Sequence, residues 1–395
     1  MTSVPAALDK IRGYHADLTA IRRDLHTHPE LGLDTVRTAD IVAKQLESWG
    51  IEVHRGVGGN GVVGVLRRGN GARAIGLHAD MDALPIEEAT GVAYSSQTKG
   101  KMHACGHDGH TTMLLGAARY LAETKDFNGT VNFIFQPGEE GAGGALAMLN
   151  DGLFERFPCD RIFGMHNRPG APVGHFSITP GAAMAGGAFF DITITGKGAH
   201  GARPEASADP VIAACQIGTA LQTIVARNVA PLDVGVVSVT QIHTGDAYNV
   251  IPQVARMGGT ARTMKRETMT TIEAALKRVV KGVAEALGVT AEIDFRLIFA
   301  PLFNETDATV AIADVAAELV GEDKVDRRKV PATGSEDFSF MLEKVPGAYI
   351  NLGNGEKSAP LHNHLYNFDD AAIPYGAALF ARLIERQLAP EPGAS

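Results

Sequence analysis

Cysteine is scarce, with only Cys105, Cys159 and Cys215 in 395 residues. An odd, sparse set of this kind fits a reducing compartment better than a disulfide framework. Long apolar runs are missing too, and nothing approaches the roughly 18 residues a membrane-crossing helix needs. Met1–Leu25 carries charges every few residues and lacks the apolar stretch of a secretory leader, so the expected location is the cytoplasm. Positive charge is in deficit: 36 Lys and Arg against 45 Asp and Glu give a formal net charge of −9. Neutralising phosphates requires a basic face, so this balance argues against nucleic acid as a partner. Tandem repeats and low-complexity segments are also absent, and only Ala389–Ser395 reads as a loose tail.

What is present is a chain able to bury a core, with 45% hydrophobic and 21% charged residues. Its length exceeds one ordinary core and suits two domains. Leu8, Ile11, Leu18, Ile21 and Leu25 predict one N-terminal helix ended by Pro29, and Thr38–Trp49 a second closed by Gly50. Short apolar strands then alternate with helices: Val62–Leu66, Ala74–His78, a helix from Asp108 to Glu123, Val131–Phe135 and Arg161–Met165. A strand at Ala348–Leu352 and a helix at Ile373–Leu388 continue this style, which implies a mostly parallel sheet with helices on both faces.

The middle reads differently: strand Phe189–Thr195, helix Ser207–Ala226, strands Asp233–Ile242 and Val254–Met264, helix Glu267–Leu287, strand Thr290–Leu297. That βαββαβ order is the ferredoxin-like α+β sandwich. The expected fold is therefore an α/β domain of residues 1–185 and 301–395, interrupted by a ferredoxin-like domain of residues 186–300. Gly186 and Gly187 read as a hinge into the insert.

Three segments share one grammar, an apolar strand followed by a loop dense in ligand-type side chains. They lead into Ala79-Asp80-Met81-Asp82, Gln136-Pro137-Gly138-Glu139-Glu140 and His166-Asn167. In an open α/β sheet such loops converge on one crevice, where acids and imidazoles signal a metal or acid/base site. Cys105 and His107, two apart before a helix, can both reach one ion, and their chemistry suits zinc and related metals. Either alone is more often a buried core residue or a helix cap; together, with His103, His110 and acids nearby, that reading becomes the minority one. The pair Glu139-Glu140 is commonly two solvated acids. After a β-rich strand, one can bind metal while the other faces a water whose pKa a metal lowers toward ~7. Gly334-Ser335-Glu336-Asp337 reads either as acids that support the site from behind its ligands or, more commonly for such a segment, as a helix N-cap with early acids. His26 and His28 at a helix end are given no chemistry.

Together the residues resemble the M20 metallopeptidase family, in its amidohydrolase branch of hippurate, N-acyl-amino-acid and indole-acetyl-amino-acid hydrolases. The resemblance is carried by His-Ala-Asp-Met-Asp-Ala-Leu-Pro (78–85), Met-His-Ala-Cys-Gly-His-Asp-Gly-His (102–110), Gln-Pro-Gly-Glu-Glu-Gly (136–141) and Gly-Met-His (164–166). Gly-Ala-His-Gly-Ala-Arg-Pro (198–204), Asn-Val-Ile-Pro (249–252), Gly-Thr-Ala-Arg (259–262), Gly-Ser-Glu-Asp-Phe (334–338) and Leu-His-Asn (361–363) extend it in order along nearly the whole chain. It implies two divalent ions per subunit, zinc or manganese and also cobalt, held by Cys105, His107, Glu140, His166 and His362. His362 is preferred to His364 because the family's ligand directly follows the leucine. Cys105 is a plausible bridge. Two such ions against one thiolate and one ligand carboxylate leave about two positive charges, which would attract an anionic substrate.

The resemblance further implies Glu139 as general base and Asp82 as the acid that orients a ligand. It makes the insert a lid and dimerisation module, in a homodimer or higher homo-oligomer. His200, typically from the partner subunit, and Asn249 would meet the oxyanion, and Arg262 would grip a substrate carboxylate. Singly, Arg262 reads as a strand-surface ion pair and His200 as a loop histidine. The implied reaction is hydrolysis of a small-molecule N-acyl amino acid, with no membrane partner. A narrow deacylase, such as an N-acetyl-diaminopimelate deacetylase, or a dipeptidase is the nearest alternative, and a panel of acyl groups separates them. A non-catalytic metal-binding relative is the alternative from another class; the intact ligand positions and base count against it.

Overall fold

The N-terminal apolar spacing builds two helices rather than the single one expected, α1 (Val4–Arg12) and α2 (His15–Thr27). They part at Gly13, a residue that weakens any helix interior, whose N–H closes the first helix on Lys10 O at 3.0 Å. The computed structural model describes residues 4–390, so the tail expected from Ala389 falls outside the described residues after Pro390. Helix α3 (Val36–Ser48) ends as expected at Gly50, and β1 (Glu52–Val57), β2 (Gly61–Arg68) and β3 (Ala74–Asp80) follow. Then come α4 (His107–Thr124), β4 (Gly129–Gln136), β5 (Arg161–Arg168) and the short β6 (Phe176–Ser177).

The central stretch supplies β7 (Gly186–Thr195), α5 (Pro210–Leu221), α6 (Thr223–Asn228), β8 (Gly235–His243), β9 (Val254–Thr263), α7 (Arg266–Ala286) and β10 (Thr290–Phe299). The expected helix from Ser207 starts later because Asp209 caps it, accepting from the N–H groups of Val211 (2.8 Å) and Ile212 (3.3 Å), with Pro210 in the first turn. The chain closes with α8 (Thr306–Val320), β11 (Val325–Asp326), β12 (Gly347–Gly353) and α9 (Ile373–Gln387). Helix α8 had not been expected, although Glu305 caps it on the N–H groups of Asp307 and Ala308.

The chain forms two compact units. The first takes the residues up to Gly181, Phe303–Val330 and those from Phe340 onward. Its eight-stranded sheet has the order β1-β2-β4-β3-β5-β12-β6-β11. The central strands β4, β3, β5 and β12 are parallel, while β1 and β2 pair antiparallel at one edge. Strands β2 to β5 are buried along almost their whole length, as a sheet covered on both faces requires. Parallel pairing has a functional consequence. Asp80 lies beside Gln136, and His166 beside Asn351, so the loops after β3 and β4 and the end of β5 leave at one edge.

The second unit takes Ala182–Leu302 and Pro331–Ser339. Its four strands pair antiparallel in the order β8-β9-β7-β10, the ferredoxin-like arrangement. One face alternates inward: Phe190, Ile192 and Ile194 of β7 meet Ala213 and Ile217 of α5 and Ile272 and Leu276 of α7. Gly186 and Gly187 are not a hinge. Both are paired residues of β7, opposite Thr263 and Arg262, and a β-carbon would run into Pro301 at the first and Arg262 at the second. Their glycine character serves close packing.

Candidate metal centre

Asp82 organises the site from the loop after β3. Its buried carboxylate accepts the N–H of Glu139 at 3.0 Å through one oxygen and that of Glu140 at 3.1 Å through the other. One side chain thus fixes the turn after β4, which reverses at Gly138 (φ +70°) and aims the two adjacent glutamates differently. Glu139 is buried and Glu140 half-buried.

His107, at the start of α4, places Nδ1 2.9 Å from the backbone oxygen of Asp82 and 3.3 Å from its carboxylate. A carbonyl only accepts, so Nδ1 carries a proton, and Nε2 is the nitrogen left to offer a lone pair when the ring is neutral. That Nε2 is buried without a hydrogen bond and lies 3.9 Å from Glu139 Oε2. His166, at the end of β5, repeats the device: Nδ1 sits 2.7 Å from Asn167 O, and Nε2 lies 3.4 Å from Cys105 Sγ. Imidazoles held by Nδ1 with Nε2 turned inward are how proteins present histidine to a metal.

Three overlapping groups of ligand atoms result, each gathered within 4.8 Å: Cys105 with His107 and His166, Cys105 with Glu140 and His362, and His107 with Glu139 and Glu140. His362 has a left-handed backbone (φ +61°), its N–H bonds to Ala104 O at 2.8 Å, and its Nε2 lies 3.3 Å from Glu140 Oε1. His364 enters none of these groups; its backbone oxygen accepts from Ala89 instead. Asp80, His107 and His110 form a further buried cluster.

The electrostatics suit cations. Burial pushes the Cys105 thiol up, but His166 and His107 beside it outweigh that and bring it down to about 6. Burial pushes His107 down, and the Cys105 charge and the Asp82 bond lift it well above the ordinary histidine range. His362 is raised to about 10 by its bonds to Cys105 and Glu140. Glu140 is lowered, since its bond to His362 overcomes the effect of burial. Thiolate, carboxylate and imidazoles are thus drawn together around protons that a metal ion would displace. The donor set and the bare Nε2 of His107 fit a divalent ion.

The other expected residues lie in the second unit. His200 pairs with Val250 in a two-stranded ribbon, Gly201 N bonds to Asn249 O at 2.7 Å, and His200 Nδ1 accepts from Ala202 N at 3.0 Å. Arg262 on β9 donates to Thr260 Oγ1 and Ala261 O and lies over the Phe189 ring, 5.9 Å from its centroid. Among the described residues no carboxylate pairs with it, so it is not a surface ion pair.

A second network beside the centre had no local signal. His26 is fully buried, with Nδ1 2.8 Å from Asp108 Oδ2 and Nε2 3.3 Å from Glu88 Oε1, and Arg22 Nη1 also reaches Asp108 at 3.4 Å. Burial pushes His26 down, but its bonds to Asp108 and Glu88 win and raise it to about 9. Its folded value exceeds the unfolded ~6.5, so its stabilisation is complete below that pH and lost as pH rises through about 9. The unfolding free energies of wild type and His26→Gln should therefore converge by about 3 kcal/mol between pH 6 and pH 10. Denaturant titrations at both pH values check this, and a constant gap would show that His26 carries no proton charge in the folded chain.

Comparison with known proteins follows the same lines. The family described as Peptidase family M20/M25/M40 matches residues 76–386. A hippurate hydrolase of Campylobacter jejuni is 42% identical over 388 residues, covering 98% of this chain and 100% of that one. An N-acetylcysteine deacetylase of Bacillus subtilis is 37% identical over 375 residues, 94% of this chain and 97% of that one. Among solved structures, a dinuclear metal binding peptidase of the M20 family from Bacillus subtilis aligns with a TM-score of 0.83. It is 34% identical, with 95% of this chain and 99% of that one covered.

Proposed function

The chain belongs to peptidase family M20/M25/M40, and from that premise we propose that it hydrolyses the amide bond of N-acyl amino acids to a carboxylic acid and a free amino acid. It is an amidohydrolase-branch enzyme, and the hippurate hydrolase and acetylcysteine deacetylase relatives support acyl-amino-acid substrates. The observation that carries the reading is the convergence of Cys105, His107, Glu140, His166 and His362, with Glu139 adjoining. Those five residues would hold two divalent ions, zinc, manganese or cobalt. When bound, such ions polarise a carbonyl and lower the pKa of water.

The chain's own groups supply the rest. Asp82 keeps the proton of His107 on Nδ1 and holds the backbone of both glutamates. Glu139 takes a proton from the attacking water and passes it to the leaving amine, a role that needs a carboxylate free of the ligand set. His200 and Asn249 donate to the oxyanion, His200 coming from a second copy of the chain, and Arg262 binds the substrate carboxylate. Residues 186–300 serve as the lid and dimerisation part.

The test is release of glycine from N-benzoylglycine by purified protein, before and after chelation and readdition of Mn²⁺ or Zn²⁺. Loss on chelation and recovery with metal is expected. Activity that survives exhaustive chelation would refute metal dependence, and cleavage of acetyl but not benzoyl substrates would favour the narrow deacylase.

A further inference from the structure

We propose that the Asn167 side chain clamps together the three segments that carry Cys105, His166 and His362, and thereby sets how tightly the centre holds its ions. This rests on the reading above that those residues are metal ligands. Asn167 follows His166 at the end of β5 and is only 2% exposed. Its Nδ2 donates to Cys105 O at 2.5 Å and lies 3.1 Å from His110 Nε2. Its Oδ1 accepts from the hydroxyl of Tyr366, a fully buried residue four positions beyond His362, at 2.8 Å. The amide has one possible orientation here, because the Cys105 carbonyl can only accept and so must face the nitrogen. The backbone of Asn167 adds a fourth tie, since its carbonyl holds His166 Nδ1 at 2.7 Å.

Two neighbours are shaped around this amide. Gly106, between Cys105 and His107, has φ +91°, and a β-carbon there would collide with both Asn167 Nδ2 and the Tyr366 hydroxyl. Glycine at that position leaves the space the clamp fills. His110 turns its Nε2 to Asn167, accepting from the backbone N–H at 3.1 Å as well as facing Nδ2. Its remaining proton is therefore on Nδ1, toward Asp80 Oδ2 at 3.4 Å. That commitment explains why His110, so near the centre, is left out of the ligand set. Every partner of the amide is buried, so its loss strands a carbonyl and a hydroxyl in a dry interior, and the ligand segments must shift to satisfy them.

The test titrates Mn²⁺ alone into the chelator-stripped full chain by calorimetry, comparing wild type, Tyr366→Phe, Asn167→Ala and the double variant. Tyr366→Phe keeps the ring and removes only the clamp's donor; we expect Mn²⁺ binding weaker by about 10- to 100-fold. Tyr120→Phe is the control, because its buried hydroxyl donates to Glu385 at 3.0 Å, away from any ligand. It removes an equivalent buried bond and should leave Mn²⁺ affinity unchanged. The double variant should bind no more weakly than Asn167→Ala, since both changes break one device. Wild-type affinity in Tyr366→Phe, or the same change in Tyr120→Phe, overturns the clamp while leaving the ligand assignment intact. Wild type that takes up none of Mn²⁺, Zn²⁺ and Co²⁺ in the same titration overturns the ligand assignment and the clamp with it.

Discussion

Glu139→Gln is expected to lose turnover by about 100- to 10,000-fold while taking up as many ions as the wild type, because a general base contributes that much. Glutamine keeps the volume of a buried side chain and the backbone bond to Asp82, so the turn after β4 should stand. What it loses is the ability to accept a proton and release it again. Metal content measured beside kcat separates the possibilities. An active variant ends the base assignment, and a variant that also loses metal makes Glu139 a ligand. The same protein tests the second-copy assignment of His200. Mixed with His200→Ala chains, Glu139→Gln chains should recover about a quarter of wild-type activity, since random pairing in a two-fold dimer makes half the pairs mixed, each with one competent site. No recovery after verified exchange of subunits removes the cross-subunit role.

The parts of this centre that could be read from the sequence are those written within a few residues. Cys105 and His107 are two apart, Glu139 and Glu140 come in the turn after one apolar strand, and His166 lies near the end of another, where parallel pairing brings the strand ends together. The parallel core and the βαββαβ order were legible for the same reason, as each element announces itself through its own apolar period. What stayed hidden depends on distant partners. Asn167 meets Cys105 across 62 positions and Tyr366 across 199, and His26 meets Asp108 across 82, so no local window contains either network. Glycines misled in both directions. Gly13 splits a helix that apolar spacing alone draws as continuous, and Gly186 and Gly187, which look like a flexible joint, are small because Pro301 and Arg262 need their space.

Cys105→Ala should empty the whole centre, whereas His166→Ala and His362→Ala should each remove one ion of two. Cys105 Sγ is common to two groups of ligand atoms, one with His107 and His166 and the other with Glu140 and His362, and each histidine named belongs to only one. The thiol is already drawn toward its ionised form, to about 6, by His166 and His107, so the thiol itself holds little proton to displace at neutral pH. Removing it takes a soft anionic donor from both groups and leaves two cations facing one carboxylate, a loss that should exceed the ~10- to 100-fold typical of changes outside the ligand set. Metal counted by mass spectrometry after dialysis against low Zn²⁺ or Mn²⁺ should give two ions in the wild type, one in either histidine variant and none in Cys105→Ala. Cys105→Ser sharpens the reading, because it preserves size and burial but offers a neutral hydroxyl. Two ions retained in both cysteine variants would show that the thiolate bridges nothing and that Glu140 and the histidines suffice to hold the pair.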